Sequence, residues 1–166
     1  MKPVYRGIGV AVLQCLMVLG VAGKYALDRE RLPRVWAKSA PFDPNLPIRG
    51  RYVRLGLQVE GLPSEAQYGM AVRLSAVGGR LVATPDPAGS VHLMSVITPT
   101  PAVPRTFAWA LTEPVAFFLP EHVADPSRRA AGEELWVEVS VPAKGSPRPI
   151  RLGVKKNGVL APLDLR

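Results

Sequence analysis

PFDPNLPIRGRYVRLGLQV, residues 41–59, decides the fold. Pro41, Pro44 and Pro47 fix three φ angles, and Asp43 and Asn45 favour side-chain turns, so the first half is a turn-rich approach. Gly50 then releases the chain into alternation, Val53, Leu55, Leu57 and Val59 against Tyr52, Arg54, Gly56 and Gln58. A period of two places every second side chain on one face, which predicts a strand over Arg51–Glu60 with one face buried.

The same period recurs on the C-terminal side. Met70, Val72 and Leu74 alternate, Gly78-Gly79 follows, and Leu81–Ala83 comes next, which reads as a hairpin with a two-residue turn. Pro85–Gly89 is a turn, and Ser90–Thr98 is a strand with Val91, Leu93, Ser95 and Ile97 on one side. Thr98–Pro104 carries three prolines and is a rigid loop. Arg105–Thr112 alternates again, and Pro114 to Leu119, apolar on both faces, is expected as a central buried strand. Asp125-Pro126 has the form of a helix cap with proline at the first helical position, ended by Gly132. Leu135, Val137, Val139 and Val141 then alternate with Trp136, Glu138 and Ser140, and Ile150, Leu152 and Val154 form another strand. Asn157-Gly158 is the strongest hairpin turn in the chain. Eight or nine short strands at this spacing predict a mainly β protein, an antiparallel barrel or sandwich with one short helix.

Upstream, Lys2 and Arg6 precede Gly7–Gly23, whose only strongly polar side chain is Gln14. As a helix this run spans about 26 Å at ~1.5 Å per residue. Extension through Tyr25 and Leu27, with Lys24 reaching to the interface, brings it near the ~30 Å of a bilayer's hydrocarbon. Tyr5 and Tyr25 flank it as interface residues do. The expected organisation is a membrane anchor helix with its juxtamembrane segment over 1–31 and a β-rich domain over 32–166. A cleaved signal peptide is the competing reading, with Ala22 or Ala26 near the cut; the lack of a clean A-x-A site and the position of Lys24 favour the anchor. Before Asp28 and Glu30 are weighed, the cations Lys24, Arg29, Arg31, Arg34 and Lys38 point to a cytoplasmic domain, though large trailing domains translocate despite such charge.

With Lys+Arg 21 against Asp+Glu 13, the net charge is +8 over 166 residues. Beside an anchor, that charge serves solubility and attraction to anionic lipid head groups. No basic–aromatic module of a nucleic-acid-binding type is present, so nucleic acid is not an expected partner. Cys15, the one cysteine, lies in the apolar run behind Gln14, where a lipobox needs a small residue; it reads as a packing residue. His92 and His122 have no metal-ligand spacing with it, and both read as solvated. No phosphate-binding, dinucleotide or nucleophile-elbow motif occurs, so no cofactor and no catalytic residue is assigned. Ser39 beside Lys38 would point away from it on a strand, which argues against a serine–lysine dyad.

Around residues 41–59 the chain resembles the GDYXXLXY family of bacterial membrane-anchored proteins, whose members read PVDPRD, a short spacer, then RGDYV-x-L-x-Y. Pro41, Asp43, Pro44, Arg49, Gly50, Tyr52, Val53 and Leu55 match. Arg51 stands where the name motif has aspartate, Leu57 where it has its last tyrosine, and Asn45-Leu46 where it has RD. Leu13-Gln14 and Leu19-Gly20 resemble the family's anchor, Phe117–Glu121 its YFVPE segment, and Leu135–Val141 the strand after it. The resemblance implies an inner-membrane, single-pass protein with a periplasmic domain, a multi-spanning membrane protein as partner, and no established activity.

The expected function is a non-catalytic interaction or assembly module for another membrane protein. Asp43, Pro44, Arg49, Gly50, Arg51, Tyr52, Arg54, Leu55 and Glu121 are the candidate interaction residues. Arg and Tyr are typical anchors, whereas an Asp43–Arg49 pair would serve the loop itself. Gln14 is the candidate contact inside the membrane, because a lone amide in hydrocarbon gains from a partner on another helix. The alternatives are an envelope hydrolase acting on lipid or peptide, and a module binding anionic lipid through Arg148, Arg151, Lys155 and Lys156.

Overall fold

The computed structural model describes residues 3–41, 52–98, 106–123, 125–126, 129–130 and 132–165, and the chain divides into two compact units, Met1–Leu32 and Pro33–Arg166. The first is one helix, α1 (Pro3–Arg31), extended past the apolar run by the solvated residues Asp28 to Arg31. The amide of Leu32 still donates to the carbonyl of Asp28 at 3.0 Å, and Pro33, which has no N–H to offer, ends the helix. Its segment Gly7–Arg31 is long and apolar enough to cross a membrane, and its side chains are exposed from Gly7 to Leu27.

The second unit is β throughout its described residues. The strands are β1 (Arg34–Pro41), β2 (Tyr52–Val59), β3 (Ala71–Val77), β4 (Arg80–Pro85), β5 (Val91–Thr98), β6 (Thr106–Leu111), β7 (Val115–Phe118), β8 (Glu133–Ser140), β9 (Arg148–Lys156) and β10 (Val159–Pro162). They form one antiparallel sheet in the order β10-β9-β8-β1-β2-β6-β5-β3-β4, with β7 paired to β2 beside β6. The two-residue turns behave as their residues dictate. Gly78 and Gly79 have φ of 57° and 75° between β3 and β4, and Asn157 and Gly158 have φ of 50° and 82° between β9 and β10.

β2 holds the sheet together. On one edge it meets β1, with Ser39 opposite Leu57. On the other edge its first half pairs with β7, Tyr52 opposite Phe118, and its last residues pair with β6, Val59 opposite Trp109. Beyond β2 the sheet curls back. Glu60 forms a parallel bridge to Val82 of β4, so β2, β6, β5, β3 and β4 close into a ring. Inward side chains from both halves make one core, including Leu55, Leu57, Leu93, Leu111, Val137, Val139 and Leu152, all 1% exposed or less. At ~25 cal/mol per Å² of apolar surface removed from water, each such leucine or valine stabilises by about 1.5–3 kcal/mol.

β1 reaches from Arg34 to Pro41 because its first half pairs with β8 and its second with β2. Two expectations change. The segment from Pro114 to Leu119 is not a central buried strand. Only Val115–Phe118 is extended, it pairs with β2 on one edge, and its burial alternates, with Phe118 73% exposed. An apolar run says that a segment can be buried, but β7 has a core on one side only. The short helix expected from Asp125-Pro126 to Gly132 is not found among the described residues, where Pro126 lies in a turn and Gly132, at φ 86°, turns into β8. The proline-rich loop lies mostly outside the described residues.

Candidate functional site: an aromatic and cationic sheet face

Opposed residues of an antiparallel pair share a face, so the registers fix what the outer face of the β9–β8–β1–β2–β7 region carries. From β1 it takes Arg34, Trp36 and Lys38. β8 supplies Glu134, Trp136 and Glu138, and β9 supplies Arg151, Gly153 and Lys155. Ala40 opposite Gly56 continues the face onto β2, where Arg54 and Tyr52 follow, and Tyr52 opposite Phe118 continues it onto β7. Two of the three tryptophans thus stand on the outside of the sheet, among more cations than carboxylates.

The tryptophans are seated by their neighbours. Gly153 leaves room for Trp36: a Cβ there would lie 2.7 Å from Trp36 Cζ3. The Arg151 guanidinium stands over the Trp36 ring, 5.4 Å from its centroid, and donates from Nε to Glu138 Oε2 at 2.5 Å. Lys155 Nζ lies 4.9 Å from the centroid of Trp136. Trp136 Nε1 donates to Glu134 Oε2 at 3.1 Å, and Lys38 Nζ donates to Glu134 Oε1 at 2.6 Å, so each oxygen of this carboxylate has its own donor. Burial pushes the Glu134 pKa up, but the hydrogen bonds from Lys38 and Trp136 together outweigh it and hold the carboxyl below its ordinary value. At the rim, Lys156 Nζ donates to Glu133 at 3.1 Å and lowers that carboxyl too.

Of the candidate residues named from sequence, Asp43, Pro44, Arg49, Gly50 and Arg51 lie outside the described residues, and with them the Asp43–Arg49 pair. Leu55 belongs to the core, 1% exposed, and packs the domain instead of offering a surface. Tyr52 and Arg54 are half-buried on the outer face. The Tyr52 and Phe118 rings are 6.1 Å apart at 55°, a tilted pair with Phe118 outermost. Glu121 is exposed in the turn after β7, and Gln14 is exposed on α1. Arg151, Lys155 and Lys156 stand beside carboxylates or an aromatic ring, and Arg148 lies across from Ser140.

Among the described residues, chemistry-bearing groups do not converge. His92 and His122 are exposed, and Cys15 is on α1. Lys38 faces outward to Glu134, whereas Ser39, on the opposite face, is 5% exposed with its Oγ donating to the carbonyl of Ala40 at 3.3 Å. Ser146 Oγ donates to Glu113 at 3.2 Å, a hydroxyl–carboxylate pair in which no histidine stands between the two as in a triad. Among the described residues no group of three His, Cys, Asp or Glu side chains is placed to hold a metal ion.

Sequence reasoning passed over Trp36, Glu134 and Phe118. The available signal was Trp136 at a polar-face position between Glu134 and Glu138; its partners on β1 and β9 are about a hundred and about twenty residues away and are supplied by register alone. No family model matches the chain, and neither the curated proteins nor the solved structures contain a match to it.

Proposed function

We propose that this is a single-pass membrane protein whose β domain is a non-catalytic docking or assembly module for another membrane protein. Its resemblance to the GDYXXLXY family, carried by Pro41 to Leu55, supports an inner-membrane anchor with a periplasmic domain. The observation that carries the reading is the Tyr52–Phe118 pair. Tyr52 begins β2, the strand that organises the whole sheet, and opposite it on β7 the Phe118 ring, 73% exposed, ends a face already furnished with Arg54. An exposed aromatic ring beside a half-buried tyrosine and arginine on a sheet face offers the residue types that protein hot spots favour.

The test is a photoreactive amino acid at Phe118 in cells, with the same residue at the equally exposed Val159 of β10 as control. Attachment of one identified multi-spanning membrane protein from position 118, lost when Arg54→Glu is added, supports the reading. Equal labelling from both positions, or labelling that Arg54→Glu leaves intact, overturns it. A reporter fused at Arg166 and active only in the cytoplasm would overturn the periplasmic placement.

A further inference from the structure

We infer that the part of this face carrying Trp36 and Trp136 rests on the anionic phospholipid head groups of the bilayer that holds α1. The inference depends on α1 being a membrane anchor. It goes further, because an anchored domain need not touch the lipid at all.

Chain connectivity gives the first reason. α1 ends at Arg31 and β1 begins at Arg34. The first outward residues of the domain are Arg34, Trp36 and Lys38, so Trp36 is tethered within about 17 Å of the helix end at ~3.3–3.6 Å per residue of extended chain. Helix length gives the second. At ~1.5 Å per residue, Gly7–Arg31 is about 37 Å long against ~30 Å of hydrocarbon, so its last turn, with Arg29 and Arg31, reaches the head-group layer.

Composition gives the third reason. Indole rings are amphipathic and favour the membrane–water interface, where cations meet lipid phosphate. On this face each outward indole is paired with a cation, Trp36 with Arg151 and Trp136 with Lys155. Glu134 and Glu138 offset only part of the charge brought by Arg34, Lys38, Arg151 and Lys155, and the juxtamembrane Lys24, Arg29 and Arg31 outnumber Asp28 and Glu30. The face therefore complements a negative surface, and its two half-buried indoles add amphipathic area beneath the cations that stand over them. This differs from a cluster of free cations on β9: Arg151 and Lys156 hold carboxylates, and the lipid contact falls to the aromatic–cation face as a unit.

The experiment uses the full chain in vesicles of brominated phosphatidylcholine alone, or with one third phosphatidylglycerol. One form keeps only Trp36 and Trp136 (Trp109→Phe), and the control keeps only Trp109, which packs on the core side (Trp36→Phe, Trp136→Phe). The inference expects the first form to lose emission about twofold more strongly in the anionic vesicles than in the neutral ones, with the excess fading as salt rises, and the control to show no such difference. Lys155→Glu, which keeps every tryptophan and serves if the indole replacements fail to fold, should remove the excess in an otherwise unaltered chain. Equal quenching in both lipids, or an excess equal to the control's, overturns the inference. An alkaline carbonate wash of the same vesicles separates the two readings: a chain that stays bound but shows no excess sinks the lipid contact alone, and a chain that washes off sinks the anchor and the contact with it. Indoles shielded from aqueous acrylamide in native membranes, yet unquenched in vesicles, would mean that a protein covers the face, which also overturns the inference.

Discussion

The amide of Ala83 donates to the carbonyl of Glu60 at 2.9 Å, and the amide of Glu60 donates to the carbonyl of Leu81 at 3.0 Å. These two bonds satisfy a β4 edge that would otherwise be open to another strand, and they turn an open sheet into a ring. Gly61 makes the turn away from the bridge at φ +78°, and a Cβ there would lie 2.6 Å from Val82 Cγ1. Gly61→Ala should cost about 1–3 kcal/mol, from the left-handed backbone and the displaced Val82 together. The midpoint of chemical unfolding measures this, and an unchanged midpoint would mean that the ring does not depend on the bridge.

Leu57 is fully buried at the centre of β2, the strand common to both parts of the sheet. Leu57→Ala should destabilise the domain by about 2–5 kcal/mol through lost burial and the cavity left behind. Since β2 serves both parts, circular dichroism and tryptophan fluorescence should still report one coincident transition. Two separated transitions would show that the ring and the β8–β9–β10 region fold independently.

Glu134 carries the pH dependence of the tryptophan face. Its pKa is lower folded than unfolded, so the stability it brings is complete above the ordinary glutamate value of 4.5 and is lost as pH falls through the lower folded value. Lys38 and Glu134 are partly exposed, so the contribution is under about 1 kcal/mol. Thermal unfolding of Glu134→Gln should fall less steeply between neutral and acid pH than that of the parent, and Lys38→Met should raise the Glu134 pKa. A parallel pH profile for Glu134→Gln would assign the dependence elsewhere.

Asn157 holds φ 50° in the β9–β10 turn, a conformation that asparagine tolerates and alanine does not. Asn157→Ala should cost about 1–2 kcal/mol, and Asn157→Gly should restore most of it. Equal melting temperatures for the two variants would show that β10 contributes little to the cooperative unit.

Gln14 is the strongly polar side chain within the apolar part of α1. If that part lies in hydrocarbon beside a partner's helix, Gln14→Leu should weaken the association by about 0.6–2 kcal/mol. Recovery of the membrane partner from mild detergent would drop accordingly, and unchanged recovery would remove Gln14 from the interface.

Alternation along residues 53–59 by itself determined that Val53, Leu55, Leu57 and Val59 are buried, because in a strand the two faces are set by parity. Gly78-Gly79 and Asn157-Gly158 determined their hairpins for an equally local reason, since few residues accept positive φ. The apolar run in α1 determined a helix able to cross a membrane by length and composition alone. Only the tertiary structure decided that β2 is shared by β1, β6 and β7, that Glu60 closes the ring onto β4, and that β7 is a half-exposed strand of four residues. It also decided that Trp36 and Trp136 share one outer face with Lys38, Arg151 and Lys155. Those facts rest on pairings between strands far apart in the chain. Their register comes from how the whole core packs, and a local pattern of side chains is compatible with many such pairings.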